Sequence, residues 1–340
     1  MSILESVALR INGMTNRVGR MPILVLMPHS RCNCRCLMCD IWRANKNLQE
    51  LSPEFIGRHV QEMQDLKVRW VVLSGGEALM HSNLWNLCKS LARLNAKVTL
   101  LSTGLLLQRN VESIAEWMDE VIVSLDGSAL VHDRIRNIPR AYEKLERGVA
   151  ALRSGAPSVE IGARCVLQRE NYHDFAGVVE AARSLDLDWI SFLAADVSSE
   201  AFNRPGGWPD ERKTEVRLTP RQCDELENTM RQSAIDFPDD YKSSLIAESP
   251  EKLLRIVQYY RAMNGDATFP KQRCNAPWVS AVVESDGQVR PCYFHAAYGR
   301  LDGGGLKNII NAPAAVAFRR NLDVNKNAIC QRCVCTLNFK

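Results

Sequence analysis

The sequence predicts an α/β protein: a partial (β/α)6 barrel, then a helical connector, then a small cysteine-rich module built of a β-hairpin and helix. Three observations carry this. Between residues 22 and 195, short β-branched apolar runs alternate with longer amphipathic stretches, the pattern of parallel strands joined by crossover helices. The alternation then gives way to a turn-rich loop and two long helical patterns. Finally, five of the twelve cysteines gather between residues 274 and 335.

Taken in order, residues 1–20 form an N-terminal extension, 21–195 the barrel, 196–270 the connector and 271–340 the cysteine-rich module. The strand-like runs are Ile23–Met27, Arg69–Ser74, Lys97–Thr103, Glu120–Leu125, Val159–Leu167 and Trp189–Leu193. Helical patterns lie between them near 53–66, 81–94, 110–118, 139–154 and 173–185. Ser52-Pro53 reads as an N-cap followed by proline in the first helical position, which fixes one helix start. Six β/α units make a partial barrel, whose functional groups gather where strands end and loops begin. The connector opens on Asn203-Arg204-Pro205-Gly206-Gly207-Trp208-Pro209 and continues with helical patterns near 219–235 and 248–264. In the last module, Val279–Glu284 and Gln288–Cys292 flank the turn Ser285-Asp286-Gly287, which predicts a hairpin.

Composition narrows the class. Hydrophobic residues at 46% and charged residues at 24% are those of an ordinary globular chain. Against 39 acidic residues stand 43 basic ones, a net charge of +4 with both signs interspersed, so nucleic acid is not expected as a partner. No apolar stretch has the length of a membrane span and Met1–Arg20 lacks a signal-peptide apolar run, so the expected location is the cytoplasm, with no membrane partner. Cysteines kept reduced there are metal ligands more often than disulfides. Cys88, Cys165 and Cys223 are scattered singly; the other nine form two groups.

The first group follows the first strand: Cys32-Asn33-Cys34-Arg35-Cys36-Leu37-Met38-Cys39. With Cys32, Cys36 and Cys39 spaced x3 then x2, one short loop wraps three corners of a cubic iron–sulfur cluster and leaves the fourth iron open. Cys34, alternating with Cys32 and Cys36, is expected to point elsewhere as a non-ligand. One β/α unit later the second strand closes on Ser74-Gly75-Gly76-Glu77, where two glycines let backbone approach a ligand and a carboxylate can accept from an ammonium group. By itself such a turn is often only a tight turn.

Together these motifs resemble the radical S-adenosylmethionine (SAM) superfamily. The resemblance implies a [4Fe-4S] cluster on Cys32, Cys36 and Cys39, which act catalytically by delivering an electron to SAM chelated at the open iron. It further implies SAM contacts from Gly75, Gly76 and Glu77, and from Ser124 and Asp126 at the end of the fourth strand. Arg164, on the fifth, resembles an arginine that pairs with the SAM carboxylate. A strand-end Ser or Asp is also a common helix cap, and His132 and Arg136 downstream serve structure equally well. Two departures stand out: Met38 occupies a position usually aromatic, and Ala78 one usually proline.

The second group is Cys274, Cys292, Cys330, Cys333 and Cys335. Four thiolates with a Cys-x-x-Cys knuckle suit a tetrahedral zinc site when read alone. Beside the first loop, the pattern is similar to the twitch domain, the shorter relative of the SPASM extension, which implies an auxiliary [4Fe-4S] cluster on Cys274, Cys292, Cys330 and Cys333 with Cys335 spare. The expected function is reductive cleavage of SAM to a 5′-deoxyadenosyl radical that abstracts hydrogen from a small polar metabolite, leading to oxidation, decarboxylation or epimerisation. Only about 20 residues precede the first strand, fewer than a leader-peptide-binding module needs, which favours the metabolite. A peptide-modifying enzyme (a RiPP or protein maturase) is the alternative, and a non-catalytic iron–sulfur or zinc redox sensor the rival of another class. The resemblance also implies a reductant such as flavodoxin or ferredoxin. Arg204, Trp208, Arg212, His295 and Tyr298 are candidate substrate contacts.

Overall fold

A computed structural model of the chain describes residues 3–302 and 304–339. The six expected parallel strands form in place: β1 Ile23–Leu26, β2 Trp70–Leu73, β3 Lys97–Ser102, β4 Glu120–Ser124, β5 Glu160–Leu167 and β6 Trp189–Ala194. They lie side by side in the order 6-5-4-3-2-1, each paired in parallel with the next. All four residues of β1 are buried, as a strand covered on both faces requires.

Helices cover the outside. N-terminal α1 (Ile3–Thr15) is followed by α2 (Pro53–Asp65), α3 (Leu84–Leu91), α4 (Val111–Trp117), α5 (Ala129–Arg136), α6 (Ala141–Gly155) and α7 (Phe175–Ser184). Ser52 Oγ accepts from Phe55 N at 3.1 Å and Pro53 takes the first helical position, the cap expected from sequence. Of these helices α1 and α5 were not foreseen, and for α5 there is a physical reason. Its buried positions are His132, Ile135 and Arg136, so two of three are polar and no apolar stripe announces it.

The connector supplies α8 (Asp210–Val216), α9 (Pro220–Asp236), α10 (Pro238–Lys242) and α11 (Pro250–Asn264). A reciprocal capping box of Thr219 and Gln222 starts α9. Tyr260, on α11, donates to the Leu167 carbonyl at 2.6 Å and accepts from Ala195 N at 2.8 Å, fastening the connector to the ends of β5 and β6.

The cysteine-rich module is not a separate sheet. Its first hairpin strand, β7 (Ser280–Val283), pairs in parallel with β1, and β8 (Gln288–Arg290) and β9 (Gly299–Arg300) follow antiparallel. Among the described residues one nine-stranded sheet therefore runs through both parts. Ser280, Ala281, Val282 and Val283 are all buried, which is why this short strand belongs inside the sheet. The N-terminal extension closes the same end: Asn12 Nδ2 donates to the Arg20 and Trp278 carbonyls at 2.6 and 2.9 Å.

Candidate active site

The Cys32–Cys39 loop leaves the C-terminal end of β1 and is gripped by several elements. Asn45 brackets Cys32, accepting from its N at 2.9 Å and donating to its carbonyl at 2.8 Å. The last carbonyls of α5 accept from the loop: Arg35 N to Arg136 O at 3.1 Å and Leu37 N to Ile135 O at 3.0 Å. Helix ends leave such carbonyls unpaired, and here the loop supplies the donors. From the connector, Asn203 Nδ2 donates to the Asp40 carbonyl at 3.1 Å, Trp208 Nε1 to Asp40 Oδ2 at 2.6 Å, and Arg212 to the Leu37 carbonyl.

The Gly-Gly turn presses on this loop from the other side. Gly75 has φ +105°, and a Cβ there would lie 2.9 Å from Met27 Cβ. A Cβ on Gly76 would lie 2.0 Å from the Arg31 carbonyl oxygen, so only glycine lets the two backbones meet. Glu77 N completes the contact with a 2.9 Å hydrogen bond to that carbonyl.

The Glu77 side chain has a different use from the one expected. It is fully buried, and its carboxylate accepts from Leu79 N (3.2 Å), Ser102 Oγ (3.1 Å), Thr103 N (2.7 Å) and Thr103 Oγ1 (2.6 Å). Burial pushes its acidity down against those four donors. Glu77 thus ties the end of β3 to the loop, since Thr103 Oγ1 also lies 2.9 Å from the Asn33 side chain. Asp126 is likewise turned inward. Its Oδ1 accepts from Val166 N at 3.1 Å and its Oδ2 pairs with the Arg136 guanidinium.

Ser124 and Arg164 lie on neighbouring strands, and Arg164 borders a cavity. Strand register sets Ser124 opposite Arg164 and Arg164 opposite Ser191, a polar row across β4, β5 and β6. Arg164 Nε donates to Ser191 Oγ at 3.1 Å. With Phe192, Tyr259, Cys333 and Cys335 it borders a cavity of about 180 Å³. A larger cavity, about 730 Å³, opens beside the Gly75-Gly76 turn and is lined by Met27, His29, Phe202, Arg204, Tyr293 and Phe294 among others.

The thiols of the loop bear on one another. Cys36 is buried, and its pKa is drawn down to about 7 by a hydrogen bond with Cys34 and by the Arg136 guanidinium, against the cost of burial. Cys34, expected to point elsewhere, is buried, and its thiol is raised by its interaction with Cys36 and by burial. Residues 31–40 form no regular strand, so side chains there need not alternate. Cys32 and Cys39 are raised, burial first, with Cys36 adding to each.

In the second group the thiols of Cys292, Cys330 and Cys333 are raised mainly by burial, with Cys274 contributing to all three. Asn275 pins the tail beside them, donating through Nδ2 to the Phe339 carbonyl at 2.6 Å. His295 Nε2 lies 3.2 Å from Cys330 Sγ, a neighbour that sequence reading assigned to substrate. Cys335 is exposed, and its carbonyl lies 3.3 Å from Cys333 Sγ. Among the described residues no group of three or more His, Cys, Asp or Glu side chains is set for a single metal ion. An all-sulfur donor set, in groups of four and five cysteines, fits iron–sulfur clusters.

Arg204, another expected substrate contact, borders the larger cavity and also serves structure. Arg204 is buried, paired with Asp196, and stacks over Trp208 at 4.6 Å. Met38 packs against the small cluster of Ala195, Val197, Trp208 and Val216.

Two family models match the chain: the radical SAM superfamily over residues 26–182 and SPASM, an iron–sulfur cluster-binding domain, over 274–334. The antilisterial bacteriocin subtilosin biosynthesis protein AlbA of Bacillus subtilis is 22% identical over 294 residues, 83% of this chain and 58% of that protein. The chain therefore spans less than two thirds of AlbA. An AdoMet-dependent heme synthase of Oleidesulfovibrio alaskensis is 25% identical over 293 residues, 82% of this chain and 70% of that protein. In fold, the chain resembles Streptococcus suis SuiB bound to precursor peptide SuiA, with a TM-score of 0.66 over 97% of this chain and 74% of that one at 15% identity.

Proposed function

The chain belongs to the radical SAM superfamily and carries an SPASM iron–sulfur domain, and from this premise we propose that Cys32, Cys36 and Cys39 hold the SAM-binding [4Fe-4S] cluster of a hydrogen-abstracting enzyme. The observation that supports it most is the three-cysteine loop packed directly against the Gly75-Gly76 backbone at the barrel rim. When bound, this cluster and SAM together supply the electron transfer and the 5′-deoxyadenosyl radical with which such chemistry begins.

The chain's own residues position and enclose. Gly75 and Gly76 offer backbone to SAM, and the Ser124–Arg164–Ser191 row offers hydroxyls and a cation to its polar end. Glu77 and Asp126 act from behind, by holding the loop and the strand ends rather than by touching SAM. Cys274, Cys292, Cys330 and Cys333 would hold the auxiliary [4Fe-4S] cluster, which would supply a second electron-transfer centre; Cys333 lines the same cavity as Arg164. A one-electron donor such as flavodoxin or ferredoxin supplies the reductant.

The cavity of about 730 Å³ lies within the range of small-molecule pockets, which supports a small polar metabolite as substrate. A second reading is favoured by the similarity to AlbA: one residue of a peptide enters the same cavity. Deuterated candidates of both classes, incubated with reduced enzyme, distinguish them by which one transfers deuterium into 5′-deoxyadenosine. The cluster assignment is tested separately. The protein reconstituted without oxygen should hold about eight irons per chain, and replacing Cys32, Cys36 and Cys39 by Ala should abolish 5′-deoxyadenosine formation; undiminished cleavage would refute it.

A further inference from the structure

Arg136 meets the cluster loop twice, by separate parts of the residue. Its carbonyl accepts from Arg35 N at 3.1 Å, as part of the grip that the end of α5 exerts on the loop. Its guanidinium, with only 7% of the side chain exposed, points back into the loop, where Nη1 lies 3.5 Å from Cys36 Sγ and Nη2 pairs with Asp126 Oδ2. Asp126 is completely buried, and its other oxygen is held by Val166 N at 3.1 Å. The result is a buried row of carboxylate, guanidinium and thiol.

An arginine in such a row cannot shed its proton, so its charge is fixed at any working pH. Burying that charge is costly without partners, and the backbone grip on the loop does not require it. A group aimed at a cluster sulfur has a definite electronic effect. A hydrogen bond and a positive charge beside a cluster thiolate stabilise the form carrying the extra electron, and a carboxylate beyond them works the other way.

We propose that Arg136 is a positioning residue that sets the reduction potential of the cluster on Cys32, Cys36 and Cys39 through a charged hydrogen bond to Cys36, and that Asp126 moderates it. This rests on the assignment of that cluster to those three cysteines. Of the protein's two clusters, the relevant one is identified by the change in its EPR signal on adding SAM, and its midpoint potential is then titrated without SAM. Arg136→Gln should shift the potential negative, since the positive charge goes while the backbone carbonyl stays. Asp126→Asn should shift it positive, since the guanidinium loses its counter-charge. A variant that is merely damaged has no reason to produce opposite signs.

Potentials that coincide with the parent at equal iron content, or that move in the same direction in both variants, overturn the proposal. Where Arg136→Gln takes up no iron, Asp126→Asn is read alone: a positive shift supports the proposal and an unmoved potential overturns it. Cys36→Ala separates this from the underlying assignment, because a SAM-responsive signal that survives in it removes the cluster from this loop altogether.

Discussion

Trp208 Nε1 donates to Asp40 Oδ2 at 2.6 Å, which joins the start of the connector to the residue that follows Cys39, the last cysteine of the loop. The same carboxylate takes a 2.9 Å hydrogen bond from Arg43 through Oδ1, and its carbonyl accepts from Asn203. Asp40 is therefore a knot between a loop that must hold its shape and a connector that also walls the larger cavity. Two cations lie over the Trp208 ring, Arg204 at 4.6 Å and Arg212 at 5.1 Å.

Removing the indole N–H leaves a buried carboxylate oxygen without its donor, a loss of about 1–3 kcal/mol. Trp208→Phe, which keeps most of the apolar ring, should lower the melting temperature of the apo-protein and speed iron loss from the reconstituted protein. Thermal melts and iron release to a chelator under anaerobic conditions check both. A variant that melts and holds iron like the parent would show that Asp40 needs no partner from the connector.

The two glycines of the second turn differ from most of the others in what they exclude. A methyl group on Gly76 would stand 2.0 Å from a backbone oxygen, where no rotamer change can relieve it, whereas Gly13, in α1, has nothing within 4 Å. Gly76→Ala should cost about 1–3 kcal/mol or more by overpacking and displace the loop. Gly13→Ala should instead stabilise by about 0.5–1 kcal/mol through helix propensity. Denaturant melts of the pair, with the iron content of each, give the comparison; equal melts would mean that the loop yields freely.

These elements show what was legible from sequence. The six barrel strands were marked by β-branched runs, and the Ser52-Pro53 start by a cap whose chemistry is local. The first cysteine group was legible as a motif because spacing along one loop is a sequence property. Three-dimensional partnerships were not legible. Nothing local in Ser280–Val283 says that it will pair with β1, more than 250 residues earlier, or that Trp208 will reach Asp40. Glu77 and Asp126 were read as ligand contacts because a carboxylate at a strand end suits either role; which one it takes depends on donors from other strands, here Thr103 and Val166. Helix α5 escaped notice because its inward face is largely polar, and Arg136, the residue that touches Cys36, lies on that face.

That polar face makes the fold sensitive to acid. His132 is completely buried, and Nδ1 accepts from Asp126 N at 3.2 Å. Burial, reinforced by the Arg136 charge, brings its pKa from 6.5 down to about 3. In the unfolded chain the imidazole takes up a proton as pH falls through 6.5, and in the native state it does so only near 3, so between those values the unfolded state binds more protons and stability rises with pH. The contribution is complete above about 6.5 and is lost progressively down to about 3, with a slope of up to about 1.4 kcal/mol per pH unit. Urea unfolding of the apo-protein at pH 7 and pH 5 should therefore show a smaller loss on acidification for His132→Gln than for the parent. The difference between the two slopes isolates this histidine from the carboxylates that titrate in the same range. Parallel slopes would mean that His132 is already protonated in the native state at pH 5, and that the cation beside it does not keep it neutral.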